Sequence, residues 1–194
     1  KNQSYSLRYN IALDYELMRN LNLRVSAGID YNQQNQNTFK PRALDAYTHF
    51  SSSEGTITKD LSILNENLLT YTYNYLDKHN LKIMLGLSFQ KDQSFNNKGK
   101  AMNGPNDKIH YAGAGWGGDN GLNNTGTAAD PFYVSAFEYS SGFSEERMNS
   151  YFGRLTYNYK EMYLFEATLR RDGSSVFGED VRWATFPSIA VGWT

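Results

Sequence analysis

The chain has 194 residues, a net charge of −1 and no cysteine. The balanced charge provides no basic field for nucleic acid, and the lack of cysteine excludes disulfides, thiolate metal sites and cysteine nucleophiles. No stretch approaches the roughly 20 consecutive apolar residues that a membrane-spanning helix needs. Tyrosine and phenylalanine are abundant instead, with 15 and 11 copies. Tyrosine suits a surface that is apolar on one side and wet at its edge.

Alternation of apolar and polar residues predicts β-strands along most of the chain. It is clearest where the odd positions from Tyr5 to Leu17 are all apolar. The chain begins in this pattern without a signal-peptide hydrophobic region, so we expect a piece of a longer protein. The seven predicted strands are residues 5–17, 21–32, 61–76, 80–91, 147–159, 162–171 and 184–193.

The predicted connections are sorted by length. They are short near residues 19, 78 and 160, and intermediate at 172–183. Residues 33–60 and 93–145 lose the alternation and are rich in polar residues or glycine, which predicts two long loops. A meander with tight turns at one end and long loops at the other is typical of a transmembrane β-barrel. The fold class is therefore all-β, an antiparallel meander forming about seven strands of a larger transmembrane barrel.

Aromatic residues support this interpretation, because barrels carry aromatic girdles at both membrane interfaces. One predicted girdle, beside the tight turns, is Tyr15, Tyr75, Tyr159, Tyr163 and Trp193. The other is Tyr5, Tyr31 and Phe89. The ten steps from Tyr5 to Tyr15 extend about 33 Å. At a tilt of about 40° they span a height of about 25 Å, the apolar band of such a barrel.

The polar parity of the strands is predicted to face the barrel lumen. Its charges have both signs, which favours a hydrated wall with cross-strand pairs, although a few could guide substrate. They are Arg8, Asp14, Arg24, Asp30, Glu66, Lys82, Arg154, Glu166 and Arg170. Arg171 has the opposite parity at the long-loop end, where its cation is expected to meet lipid phosphates.

The sequence does not support any familiar catalytic or metal-binding motif. Residues 113–118 match the glycine pattern of nucleotide-binding loops, but no helix start follows them. His49, His79 and His110 are scattered over separate loops or turns, so structural or solvent roles are expected rather than zinc binding. We expect no enzyme activity, no cofactor and no metal.

The corner after the sixth strand is glycine-bearing and charged. Gly173 can take positive φ, which predicts a polar turn there. The run, with its continuation, is Leu169-Arg170-Arg171-Asp172-Gly173-Ser174-Ser175, Phe177-Gly178, Arg182-Trp183, Phe186-Pro187-Ser188 and Gly192-Trp193. It resembles a signature of the SusC/RagA-type TonB-dependent outer-membrane transporters, in which Arg is common at the position of Val176. The strong match covers about 25 residues, and the other strands agree with the family only in pattern.

The resemblance implies a 22-stranded barrel of the Gram-negative outer membrane that contains an N-terminal plug. Members import glycan oligosaccharides or peptides together with a SusD-like surface lipoprotein, using energy from the TonB complex. The chain would supply about seven strands of that barrel, without the plug, and would meet outer-membrane lipid and lipopolysaccharide. Its two open edges could not face lipid, so we expect it to be unstable alone.

Substrate contacts, if this part of the barrel makes any, are predicted in the loop at 93–145. The candidates are Tyr111, Trp116, Phe132 and Tyr133, which could stack on sugar rings or peptide side chains. They could equally pack the loop or meet the lipoprotein. Two other functions remain open: a small outer-membrane barrel with a structural or adhesive role, and a soluble carbohydrate-binding β-domain.

Overall fold

Seven strands follow one another in chain order across one sheet. The computed structural model describes residues 1–44, 50–76, 78–104, 106–111 and 137–194. The predicted all-β antiparallel meander is confirmed. The strands are β1 (Asn2–Met18), β2 (Leu21–Lys40), β3 (Ser52–Tyr75), β4 (His79–Met102), β5 (Phe137–Tyr159), β6 (Tyr163–Ser174) and β7 (Trp183–Trp193). Two single-turn 3-10 helices, Arg42–Leu44 and Glu179–Val181, lie in connections.

The loop bounds predicted from the sequence are wrong, because four strands continue far into both loops. β2 extends to Lys40 and β3 begins at Ser52, which reduces the first loop to residues 41–51. β4 extends to Met102 and β5 begins at Phe137. Polar side chains join the extensions across strands, as in the bonds from Ser94 to Asp60 (2.7 Å) and from Asn96 to Thr58 (3.1 Å). Alternation reports one-sided burial, so it vanishes where both faces are wet although the strands still pair.

The chain divides into two compact units. The first comprises Lys1–Ser6, Tyr31–Asp60 and Ser94–Ser144, and it contains both long loops. The second comprises Leu7–Asp30, Leu61–Gln93 and Glu145–Thr194, and it contains the short turns. Residues with positive φ make these turns tight. They are Asn20, Leu76, Lys160 and Glu161.

Within the second unit the odd-numbered face of the sheet is apolar and exposed. Ile11, Leu13 and Ile189 are 57%, 65% and 73% exposed. Over the described residues, Ala101 of the first unit is the only buried hydrophobic residue. A single-layered sheet with such a face needs an apolar medium against it.

Two amides interrupt this apolar face in β3, and both find partners. Asn67 donates to the Oδ1 atom of Asn65 at 2.7 Å, and Asn65 donates to the backbone oxygen of Ser26 at 3.0 Å. Hydrogen bonding of this kind removes most of the penalty for placing an amide among apolar groups. The irregular middle of β3 in the sequence is therefore a locally bonded pair.

A charged cluster ends the apolar stretch on the odd-numbered face of β4 and β5. Glu145 accepts hydrogen bonds from Gln93 (2.7 Å) and Arg147 (2.7 Å), and its carboxylate lies 3.1 Å from the Lys91 ammonium. Glu145 is the first residue of β5 in the second unit, so it lies beyond the apolar residues that this unit presents on β5. The hydrogen bonds from Gln93, Lys91 and Arg147 lower the pKa of its carboxyl group to about 2, so the group remains ionised.

Aromatic side chains gather at the opposite, tight-turn end of the second unit. Tyr159 and Tyr163 are register partners, and Tyr163 is in turn the partner of Trp193. The rings of Tyr159 and Tyr163 stack with centroids 6.3 Å apart. His79, the first residue of β4, bonds the Tyr157 hydroxyl at 2.7 Å, so it takes part in this aromatic end. The structure thus brings together three members of the girdle predicted there.

We expect Ile11→Arg to reduce stability of the intact protein in a lipid bilayer by about 2–4 kcal/mol, because a guanidinium would enter the lipid-facing band. Ala12→Arg, one residue along β1 and on the opposite face, should cost much less. The measurement is the temperature at which each variant loses its folded, heat-modifiable migration on a gel. Equal losses in the two variants would show that the assignment of the faces is wrong.

Candidate functional site

The bases of the two long loops are joined in the first unit through Ser51. The backbone oxygen of this fully buried residue accepts a hydrogen bond from the Asn103 N–H at 2.8 Å. Its hydroxyl accepts another from the Gly104 N–H at 3.1 Å. These bonds satisfy two backbone donors that the end of β4 would otherwise leave unpaired. One serine thus attaches the chain after β4 to the chain before β3.

Arg42, in the first 3-10 turn, makes a second connection between the same segments. Its backbone N–H donates to the Asp107 carboxylate at 3.3 Å, and its side chain donates to the backbone oxygen of Gly104. The guanidinium also forms an ion pair with Asp107, with a distance of 3.9 Å between Nε and Oδ1. Because backbone and side chain both take part, this contact holds the loop base more firmly than an isolated surface ion pair.

His110 completes the loop base and positions the candidate residue that follows it. Its backbone oxygen accepts a hydrogen bond from Ser53 at 2.8 Å, and its ring packs on Phe39 with centroids 4.6 Å apart. Tyr111 comes next and is 59% exposed. Its side chain is therefore available for stacking at the edge of an ordered loop base.

The remaining candidates lie outside the described residues. Trp116, Phe132, Tyr133 and His49 are among them, as is the glycine-rich run at 113–118. Of the four predicted contact residues, the structure therefore describes Tyr111 only. Within the described part of the chain, no group of three His, Asp or Glu side chains could hold a metal ion. No helix among those residues is long and apolar enough to cross a membrane.

Sequence reasoning missed a polar groove of about 450 Å³ in the first unit. Gly55 and Gly99 contribute no side chains to its lining, and Tyr139 donates a hydrogen bond from its hydroxyl to Asn97 at 2.9 Å. Amides supply most of its polar groups: Gln3, Asn35, Asn37 and Asn97. The unbroken run of amides from position 32 to position 37 was the available signal.

On the even-numbered face of the second unit, opposite charges lie close together. Arg8 contacts Asp30 at 2.5 Å, and the side chains of Arg24 and Asp14 are 3.7 Å apart. Across β5 and β6, Arg154 lies 3.6 Å from Glu166. Arg170 donates to both carboxylate oxygens of Asp172 at 2.8 Å. The predicted cross-strand charge pairs are therefore present for Arg8, Arg24 and Arg154, whereas Arg170 pairs within its own strand. Exposed pairs of this kind contribute little stability individually.

The corner between β6 and β7 carries a cluster on the odd-numbered face. Gly173 lies inside β6 without a left-handed φ, so the expectation that it forms the turn is wrong. A Cβ atom added there would lie 2.7 Å from the Trp183 indole, because Trp183 is its register partner and covers it. The indole also contacts Tyr151 (5.7 Å between ring centroids) and Arg171 (5.1 Å from its guanidinium carbon). Glycine is required here for space.

Comparison with known proteins agrees with this geometry. No protein-family model matches the chain. It is 28% identical over 193 residues to TonB-dependent receptor P39 of Formosa agariphila, and 29% identical over 187 residues to TonB-dependent receptor SusC of Bacteroides thetaiotaomicron. These alignments cover 99% and 95% of the chain. The chain is a SusC/RagA-type barrel segment.

The barrel segment corresponds to a small part of its relatives. It spans 17% of receptor P39 and 16% of SusC. It also superposes on the structure of the RagAB peptide transporter with a TM-score of 0.81 at 19% identity, covering 98% of the segment and 20% of that chain. At this identity the likeness supports the fold alone, and that fold agrees with the antiparallel meander of this chain.

We expect Ser51→Ala in the intact protein to leave the buried Gly104 N–H without its acceptor, at a cost of about 1–3 kcal/mol. Hydrogen–deuterium exchange at Gly104 should become faster. Ser52→Ala, which changes the less buried neighbour, is the matched control and should leave the exchange unchanged. Unchanged protection in both variants would contradict the proposed attachment of the loop base.

Gly173→Ala should destabilise the intact barrel by about 1–3 kcal/mol, because the rigid indole of Trp183 must move to admit a methyl group. Gly178→Ala is the control. Gly178 has φ −56° and ψ 160°, and a Cβ there would meet nothing within 4 Å. Thermal unfolding in detergent measures both variants. A stable Gly173→Ala variant would refute the role assigned to this glycine.

Proposed function

We propose that the intact protein imports oligosaccharides or peptides across the bacterial outer membrane. The observation that carries this proposal is the similarity of nearly the whole segment to TonB-dependent receptors, SusC among them. The exposed apolar face of the second unit supports a membrane location, since such a face needs hydrocarbon around it. The partners are a SusD-like surface lipoprotein as a lid and the TonB complex as the source of energy.

In this proposal the two faces of the sheet have different tasks. The odd-numbered face contacts lipid, and the even-numbered face lines the lumen around a plug that the rest of the protein provides. Paired charges such as Arg8 with Asp30 keep that wall hydrated without a strong field of one sign. Import then consists of energised opening of the plugged barrel, a process that requires no covalent chemistry from these strands.

The long loops are the parts of the segment proposed to contact substrate or lid. Tyr111 has an exposed ring on a loop base held by Ser51, Arg42 and His110. A ring fixed at its backbone loses little freedom when a sugar or peptide side chain stacks on it. We propose the same contacts for Trp116, Phe132 and Tyr133.

The function can be tested in the bacterium that carries the full-length gene. Deletion should abolish growth on one class of oligosaccharide or peptide as sole nutrient, and loss of TonB should abolish uptake in the same way. Restoration by the intact gene is the control. Growth on every tested oligosaccharide and peptide without the gene, at wild-type rate, would contradict the proposal.

Tyr111→Ala in the intact protein should lower uptake at limiting substrate roughly tenfold, the effect of losing one good stacking contact. Tyr111→Phe should retain most uptake because the ring remains. Tyr139→Ala removes another exposed tyrosine of the first unit and is the control. Equal uptake by the wild type and Tyr111→Ala would place Tyr111 outside the substrate path.

A further inference from the structure

An apolar groove of about 670 Å³ crosses the odd-numbered face of the second unit. Gly153 forms part of its floor, because β5 presents no side chain at that position. Leucines from neighbouring strands form its sides. They are Leu69, Leu85, Leu87 and Leu169. Leu85 leans toward Gly153, with its Cδ2 atom 3.4 Å from where a Cβ would be. The groove is thus a built depression between side chains.

Arg171 places a cation at one end of the groove. It pairs in register with Tyr151, and both side chains belong to the groove lining. Gly153 pairs with Leu169 two positions along each strand, toward the tight turns. The charge therefore lies at the end of the groove that is farther from the tight turns, and the apolar walls continue toward them.

The guanidinium of Arg171 is positioned and also free to bind an anion. It lies 5.1 Å from the Trp183 ring, which restricts its motion through a cation–π contact. Among the described residues no carboxylate lies within ion-pair distance of it, whereas its neighbour Arg170 on the other face forms an ion pair with Asp172. A positioned guanidinium with free N–H donors suits a phosphate group, which it can bind with two hydrogen bonds.

We propose that this groove binds one molecule of lipid A, with an acyl chain along the leucines and a phosphate on Arg171. The proposal rests on the proposed function for the membrane and its orientation, since the end of β6 away from the tight turns then lies in the outer leaflet. Lipid A supplies both required groups in that leaflet, acyl chains and exposed phosphates. Trp183 and Tyr151 beside the cation are residue types that favour the boundary between headgroups and hydrocarbon.

The test uses the full-length protein reconstituted into nanodiscs, with lipid A titrated and bound lipid counted by native mass spectrometry. Arg171→Gln should weaken lipid A binding roughly tenfold, as expected for loss of a charged hydrogen-bonding partner. Arg171→Lys should be intermediate, because it keeps the charge and loses the two-pronged geometry. Lys82→Gln removes a cation from the opposite face and should change nothing.

A second pair of measurements examines the groove and the lipid class. Gly153→Leu should fill the depression and reduce binding while Arg171 is intact, and Gly153→Ala should have a smaller effect because a methyl group meets only ordinary contact there. Phosphatidylglycerol in place of lipid A should bind more weakly. Equal affinity for both lipids would overturn the assignment to lipid A, and equal binding by wild type and Arg171→Gln would overturn the site.

The outcome is independent of transport. Lipid binding is counted on purified protein, whereas uptake is measured in cells. A wild-type protein that binds lipid A through Arg171 but imports no oligosaccharide or peptide would refute the proposed function and leave the lipid site standing. Normal import by the wild type, together with unchanged lipid A binding by Arg171→Gln, would refute the lipid site and leave the proposed function standing.

Discussion

The described structure is one sheet thick, and this constraint governs everything else in it. A single layer has no second layer against which to bury side chains, and Ala101 is the only buried hydrophobic residue among those described. Cohesion therefore comes from backbone hydrogen bonds between neighbouring strands and from whatever medium covers the apolar face. Exposure of that face to water would cost a large free energy, whereas its contact with hydrocarbon would be favourable. An apolar medium would act, in effect, as the second layer of this fold.

Strand pairing transmits this constraint along the chain. Directly paired residues point to the same side, so one alternating strand imposes its parity on the next, and a slip of one residue would invert every side chain. Gly153 pairs with Leu169, and Leu169 pairs with Pro187, so odd-numbered residues of three neighbouring strands share one face. Where polar groups fall on the apolar face, they must satisfy one another, as Asn65 and Asn67 do.

The same constraint explains which parts of the fold could be predicted. Alternation identified the strands wherever one face is apolar, and the aromatic end with Tyr159 and Tyr163 followed from parity alone. Alternation did not predict the strands at residues 33–40 and 94–102. Strands with two wet faces show no period in hydrophobicity, although their backbones still pair. The attachment of the loop bases through Ser51 could not be foreseen either, because it depends on contacts between segments about 50 residues apart, and one serine has no distinguishing pattern.

Gly173 shows the limit of sequence reasoning most directly. A glycine beside aspartate and serine predicts a turn, and the structure uses it as the place where an indole lies flat on a strand. Both roles need the missing side chain, so residue type cannot separate them, and the deciding information is the register that brings Trp183 opposite. That placement has a consequence for charge. With Trp183 over Gly173, the guanidinium of Arg171 lies against the ring on the odd-numbered, apolar face, while Arg170 pairs with Asp172 on the other face. Two adjacent arginines thus differ in availability because strand parity sends them to opposite faces, and the one without a carboxylate partner among the described residues lies on the apolar face.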